Sequence, residues 1–167
     1  MNKEVVVRIL FFILLVLLQV LVFSNMRIGA YVPYVYVLFI ILFPIKSNRA
    51  VFLLSSFLLG LSLDFFFSSG GVHAAACTII AYIRPQALKF SFGRSYEFQT
   101  IKLSKVSIAA KLAYFSILIV IHHLILFLLE TFNLSFIFYS LKSTLFSSIY
   151  TVLLSLVLVT LFSKRKE

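Results

Sequence analysis

The strongest constraint on this chain is a succession of apolar runs, each about as long as a bilayer is thick and separated by short polar turns. The hydrocarbon core of a membrane is about 30 Å thick and a helix rises about 1.5 Å per residue, so one crossing needs roughly 20 mostly apolar residues. Six segments meet that description, at about residues 5–23, 28–45, 50–67, 71–88, 106–129 and 144–162. Only 12% of the chain is charged, against about a quarter in soluble domains, which leaves too little polar surface to coat a water-facing globule. The expected fold class is an all-α integral membrane protein, a single six-transmembrane-helix bundle.

Each run has its own punctuation. The first carries Arg8 near its start and Gln19 within it; Lys3 and Arg8 before an apolar run are similar to a signal peptide, but no A-x-A-like site follows, so a retained first span is expected. In the second, Pro33 falls in the opening turns, where a missing N–H costs little, and Pro44 marks the end. The third closes on the uncharged turn Ser68-Ser69-Gly70-Gly71, where glycine permits positive φ. The fourth is short at 72–83 and reaches full length only by absorbing Arg84, Pro85 and residues near Lys89, so a tilted, broken or re-entrant crossing is anticipated. Residues 84–105 form the longest hydrophilic stretch and are expected as a basic loop outside the hydrocarbon. The sixth follows a partly polar entry at 134–144.

The net charge of +10 is distributed between the runs rather than gathered into a patch, which argues for topology and against nucleic-acid binding. With six crossings and the N-terminus inside, Lys3, Arg8, Lys46, Arg49, Arg84, Lys89, Arg94, Lys102, Lys105, Lys111 and Lys164-Arg165-Lys166 fall on the cytoplasmic side. Only Arg27 and Lys142 fall outside. An odd count would put the terminal cations on the wrong side, so both termini are expected in the cytoplasm. The single cysteine, Cys77, excludes an internal disulfide and a four-cysteine zinc site, and reads as a small packing residue.

Asp64 is the one acidic residue well inside a run, about a turn from the outer end of the third, and burial there demands a partner. His73, His122 or His123, Arg27 and Lys142 are the candidates at similar depth. His122 and His123 are adjacent and project about 100° apart on a helix, so they lack the i, i+4 spacing of a zinc pair. One is expected to face the bundle and the other lipid or a groove. Ser62 lacks the following glycine of an intramembrane serine protease; such a hydroxyl ordinarily bonds its own helix. No phosphate loop, dinucleotide fingerprint or paired-acid motif is present, so neither an enzyme, a metal site nor a cofactor is expected.

The segment Gly60-Leu61-Ser62-Leu63-Asp64-Phe65-Phe66-Phe67-Ser68-Ser69-Gly70-Gly71-Val72-His73-Ala74-Ala75-Ala76, followed by Ile80-Ala81-Tyr82-Ile83-Arg84-Pro85, resembles the signature of the MreD family of bacterial rod shape-determining membrane proteins. The ending Ala-Tyr-x-Arg-Pro is similar to the Bacteroidetes-type form. The resemblance implies a non-enzymatic, multi-pass subunit of the cell-elongation complex in the bacterial cytoplasmic (inner) membrane. It would work with MreC, and through it with MreB, RodA and a class B penicillin-binding protein, coupling the cytoskeleton to peptidoglycan synthesis. It carries Gly60, Asp64, Gly70, Gly71, His73, Arg84 and Pro85 over as a structural or partner-binding motif, in which Asp64 and His73 clamp two antiparallel helices. Lys89, Arg94, Lys102 and Lys105 become cytoplasmic contacts to partners or membrane lipids, and self-association is left open. Family members often place Asn or Asp after the proline of the second span; Tyr34 stands here, so no polar role passes to that position. The family is similar in architecture to the substrate-binding subunits of vitamin transporters, and that is the alternative function.

Overall fold

A computed structural model describes residues 3–93 and 106–163 of the chain. Arg94, Lys102, Lys105 and the terminal Lys164-Arg165-Lys166 lie outside the described residues. The described chain is helical: α1 (Lys3–Leu21), a short α2 (Leu38–Leu42), α3 (Arg49–Phe67), α4 (Val72–Phe92), α5 (Ile108–Thr131) and α6 (Ile137–Ser163). Four stretches, Lys3–Asn25, Arg49–Phe67, Ile108–Thr131 and Ile137–Leu161, are long and apolar enough to cross a membrane. At 21 residues, or about 31 Å, α4 is as long as these but carries Arg84 and Lys89.

Local signals set the helix ends. Asn48 accepts from the amides of Ala50 (2.9 Å) and Val51 (3.4 Å) to start α3, and Ser107 accepts from Ala110 (3.3 Å) to start α5. Ser68 and Phe132 end α3 and α5 in the left-handed conformation, each sending its amide back to a carbonyl four residues earlier. Pro44 stops α2, with Phe43 before it held extended.

Packing proceeds in sequence, α3 on α4, α4 on α5 and α5 on α6, with α1 beside α3 and the 28–45 segment. The burial pattern of α6 is inverted relative to a soluble helix. Ser140, Ser143, Thr144, Ser147, Ser148, Thr151 and Ser155 are buried, while Leu141, Leu145, Ile149, Leu153, Val157 and Leu161 are exposed. In water that arrangement is unfavourable at every turn. In lipid it is the favoured one, because small residues let helices approach and leucine meets acyl chains at no cost.

The second segment differs from expectation. Instead of one helix over 28–45, the chain makes a tight turn at Ile28 and Tyr31, whose amides and carbonyls pair at 3.0 and 3.2 Å, with Gly29 at φ 62°. It then runs irregularly to a single 3-10 turn at Val35–Val37 and the five residues of α2. This is also the most deeply buried part of the molecule, with Val35, Tyr36, Val37 and Ile40 fully enclosed. Non-helical backbone survives at membrane depth only when protein supplies its hydrogen bonds. Gln19 of α1 does so like a strand edge: its Nε2 donates to the Pro33 carbonyl (3.1 Å) and its Oε1 accepts from the Val35 amide (2.9 Å). Thr151 of α6 accepts the Tyr34 amide at 3.0 Å.

The second difference concerns residues 84–92, with 84–88 expected both at the end of the fourth span and at the start of the basic loop, and 89–92 in the loop. They continue α4 as regular helix, with Pro85 inside it and Lys89 exposed in its last turns. Pro85 removes the amide that the Ala81 carbonyl would have used, a local cost the surrounding packing absorbs. Arg84 is buried, which no loop cation would be.

Candidate functional site

The motif residues of the α3–α4 turn come together as one unit. Ser68, Gly70 and Gly71 all take positive φ, at 52°, 66° and 97°, and reverse the chain within four residues. Gly71 is the residue before α4, and it has no side chain with which to cap the helix. Asp64, in the last turn of α3, supplies the cap instead. Its Oδ1 accepts from the His73 amide (2.9 Å) and its Oδ2 from the Ala74 amide (2.8 Å), the donors a cap residue ordinarily satisfies. The carboxylate also sits at the positive end of the α4 dipole.

Ser69 and His73 complete the shell. Ser69 Oγ donates to Asp64 Oδ1 at 2.5 Å, and His73 Nδ1 lies 2.9 Å from that hydroxyl and 3.1 Å from Oδ1. Both neighbours can only accept from the ring, which places the imidazole proton on Nδ1. Nε2 of His73 is buried without a partner among the described residues, beside the rings of Tyr34, Tyr36 and Phe67.

Gly60, one turn before Asp64, makes this approach possible. A Cβ there would lie 2.5 Å from the backbone N and Cα of Ala74 and press on the His73 carbonyl oxygen. Any side chain at position 60 would therefore push the start of α4 out of reach of the carboxylate. Gly60, Asp64, Gly70, Gly71 and His73 thus form one device, in which bare backbone approaches at Gly60 and a carboxylate one turn later locks it. Arg27 and Lys142, considered as partners for Asp64, are not among its hydrogen-bond or ion-pair contacts.

The adjacent histidines behave differently from expectation, since both are fully buried rather than one facing lipid or a groove. His122 Nε2 lies 3.0 Å from the Tyr36 hydroxyl. His123 Nδ1 donates to the Ile119 carbonyl of its own helix at 2.6 Å, leaving Nε2 to accept from Thr151 Oγ at 3.3 Å. Thr151 in turn accepts the Tyr34 amide, so His123 anchors the irregular segment through one hydroxyl. Ser62 is half-buried and donates to the Leu58 carbonyl of its own helix at 2.8 Å. Cys77 is buried in the core.

At the opposite end of α4, Arg84 and Tyr114 hold the end of the irregular segment. Arg84 Nε donates to the Tyr114 hydroxyl (2.8 Å), Nη2 donates to the carbonyls of Ile41 (3.3 Å) and Phe43, and the Tyr114 hydroxyl donates to the Ile41 carbonyl (3.1 Å). Arg84, carried over from the motif, is therefore separated from the Asp64 turn by most of α4 and serves a different neighbour. Gln19, Ser69, Tyr114 and Thr151 were not singled out from sequence. Gln19 offered a signal, a lone amide inside an apolar run, because such groups are retained where they find a polar partner. Among the described residues no group of three histidine, cysteine or acidic side chains is placed to hold a metal ion.

No family model matches the sequence, and neither a curated protein nor a solved structure matches the chain.

Proposed function

We propose that this protein is a non-enzymatic subunit of a bacterial cell-elongation complex, of the MreD kind, spanning the cytoplasmic membrane six times with both termini inside. The observation that carries the reading is the α3–α4 turn. The residues that compose the family-like signature, Gly60, Asp64, Gly70, Gly71 and His73, cooperate in one architectural task, and the Asp64 carboxylate is spent on holding the start of α4. Ser62, the hydroxyl placed most like a nucleophile, is bonded to its own helix. A scaffold that presents a rigid turn to other membrane proteins is what such an arrangement suits.

Six crossings are supported by the course of the chain. Extended residues advance up to roughly 3.3 Å each against 1.5 Å in a helix, so residues 28–45 need no full-length helix to traverse the bilayer. Alternation then puts Lys3, Arg8, Lys46, Arg49, Lys89 and Lys111 at one end of the bundle and Arg27 and Lys142 at the other. By the positive-inside bias the first end is cytoplasmic and the Asp64 turn is outside, where wall synthesis occurs. MreC, and through it MreB, RodA and a class B penicillin-binding protein, are the partners this reading names.

Substrate binding for a vitamin-type transporter is the second reading, favoured by the interrupted segment, since discontinuous helices line sites in transporters. Here that segment is packed by aromatic and aliphatic side chains, and the cavity at its end measures about 100 Å³, below the roughly 300 Å³ of small-molecule pockets. Affinity purification of the tagged chain from native membranes separates the two. Retention of MreC and the penicillin-binding protein, with cell rounding on depletion, is expected; retention of an ATP-hydrolysing module and a vitamin would overturn the proposal.

A further inference from the structure

A buried cation must find counter-charge, because removing an ion from water costs several kcal/mol in real proteins unless it is paired and hydrogen-bonded (order of magnitude). Arg84 is 5% exposed. Its three bonds use the Nε hydrogen and both Nη2 hydrogens, and each acceptor is neutral. Both Nη1 hydrogens have no acceptor among the described residues. Of the described carboxylates, Glu4 pairs with Arg8 at 3.4 Å, while Asp64 and Glu130 stand at the far ends of α3 and α5. Among the described residues the charge is satisfied as a donor in part and compensated by no anion.

Arg84 also lines a cavity. The space of about 100 Å³ is walled by Phe43, Ile45, Leu88 and Phe92, with Arg84 and Tyr114 as its polar groups. That is room for roughly three waters or one compact oxyanion. The guanidinium carbon of Arg84 lies 5.0 Å from the ring centroid of Phe52, and that of Arg8 lies 5.6 Å from Phe43, so two cations flank the same aromatic pair. Lys46 and Arg49 stand in the adjoining turn and Lys89 one turn beyond Arg84 on α4. The walls are largely apolar, the Tyr114 hydroxyl proton is taken by the Ile41 carbonyl, so Arg84 Nη1 is the donor left for a ligand, and the site lies within about 12 Å of the end of α4, near headgroup depth.

We propose that this pocket binds the phosphate of an anionic phospholipid, with Arg84 Nη1 as its principal donor. The headgroup is favoured over a free anion because apolar walls on Leu88 and Phe92 suit the start of an acyl chain and nothing in free phosphate. Bound there, the lipid would neutralise Arg84 and fasten the 41–45 segment to α4. The proposal depends on the membrane setting and not on any role in cell elongation, so it stands or falls separately from the partner assignments above.

The test uses the full chain in mild detergent, titrated with dioleoyl phosphatidylglycerol, dioleoyl phosphatidylcholine or inorganic phosphate and read by native mass spectrometry. Wild type is expected to prefer phosphatidylglycerol over phosphatidylcholine by about tenfold or more. Arg84→Gln removes the charge and should erase the preference. Because that variant also drops bonds to the segment and risks unfolding, Ile45→Trp provides a second probe: it fills the partly exposed rim of the cavity and leaves the bonds of Arg84 in place. Folded Ile45→Trp should lose the preference as well. Equal binding of the two lipids by wild type, or an undiminished preference in Ile45→Trp, overturns the site. Displacement of phosphatidylglycerol by low-millimolar inorganic phosphate overturns the lipid assignment in favour of a free anion. A preference that appears only in Glu97→Gln, which removes the carboxylate of the segment 94–105 outside the described residues, overturns it in favour of a counter-ion within the chain.

Discussion

At one end of the bundle Asp64 gives both carboxylate oxygens to the amides of His73 and Ala74 and to the Ser69 hydroxyl; at the other, Arg84 gives three of its five N–H groups to a tyrosine and two carbonyls. The two charges are equally buried, at 5% exposure. What separates them is remaining capacity. Asp64 meets a helix N-terminus, whose dipole and free amides compensate a negative charge outright. Arg84 meets carbonyls, which orient it but carry only partial charge. A saturated buried ion is an architectural element, whereas one whose Nη1 has no acceptor among the described residues, beside a cavity, has room for a ligand.

If that contrast is right, the largest effect should come from Asp64→Ala, which orphans two buried amides at once. A loss of about 3–5 kcal/mol is expected, typical of removing one partner from a buried charged contact. In thermal unfolding of purified protein that corresponds to a drop of roughly 10 °C. Asp64→Asn keeps one acceptor oxygen and should lose about half as much, because one of the two amides can still be capped. Asn and Ala variants equally damaged would break the account, since charge rather than acceptor geometry would then dominate.

Gly60→Ala ranks next, at about 1–3 kcal/mol, because the added methyl meets backbone atoms of His73 and Ala74 that cannot swing aside. Its effect should be much smaller in an Asp64→Ala background, where the close approach no longer secures a cap; simple additivity in the double-mutant cycle would uncouple the two residues. Tyr114→Phe sharpens the other end. It removes a hydroxyl that accepts from Arg84 and donates to Ile41, for about 1–2 kcal/mol, and should leave the Asp64 end untouched. Ser62→Ala comes last, within about 0.5 kcal/mol of wild type by thermal unfolding, since its half-buried hydroxyl is bonded only within its own helix.

The two ends also differed in how far sequence reasoning reached. Local chemistry marked Asp64 as needing a partner but left His73, His122, His123, Arg27 and Lys142 open; the resemblance singled out His73, nine residues on across a glycine turn. The apolar runs that became α1, α3, α5 and the later part of α6 were readable for the same reason, as length and hydropathy are local properties. The form of the 28–45 segment was not. Its apolar content suits a helix, and what overrides this is a set of distant side chains, Gln19 at its entry, Thr151 behind it and Arg84 with Tyr114 at its exit. Arg84 looked like a loop cation because Pro85 follows it and more cations come after. Its burial depends on carbonyls more than 40 residues earlier in the chain.

Hydrogen exchange at the start of α4 tests the central claim most directly, because the claim is that a carboxylate on α3 caps α4. In detergent-solubilised wild type, the amides of His73 and Ala74 should exchange as slowly as those of the middle of α4. In Asp64→Ala they should exchange far faster, while the start of α5, capped by its own Ser107, stays unchanged. Rapid exchange at His73 and Ala74 in wild type, or slow exchange that survives Asp64→Ala, would contradict the account.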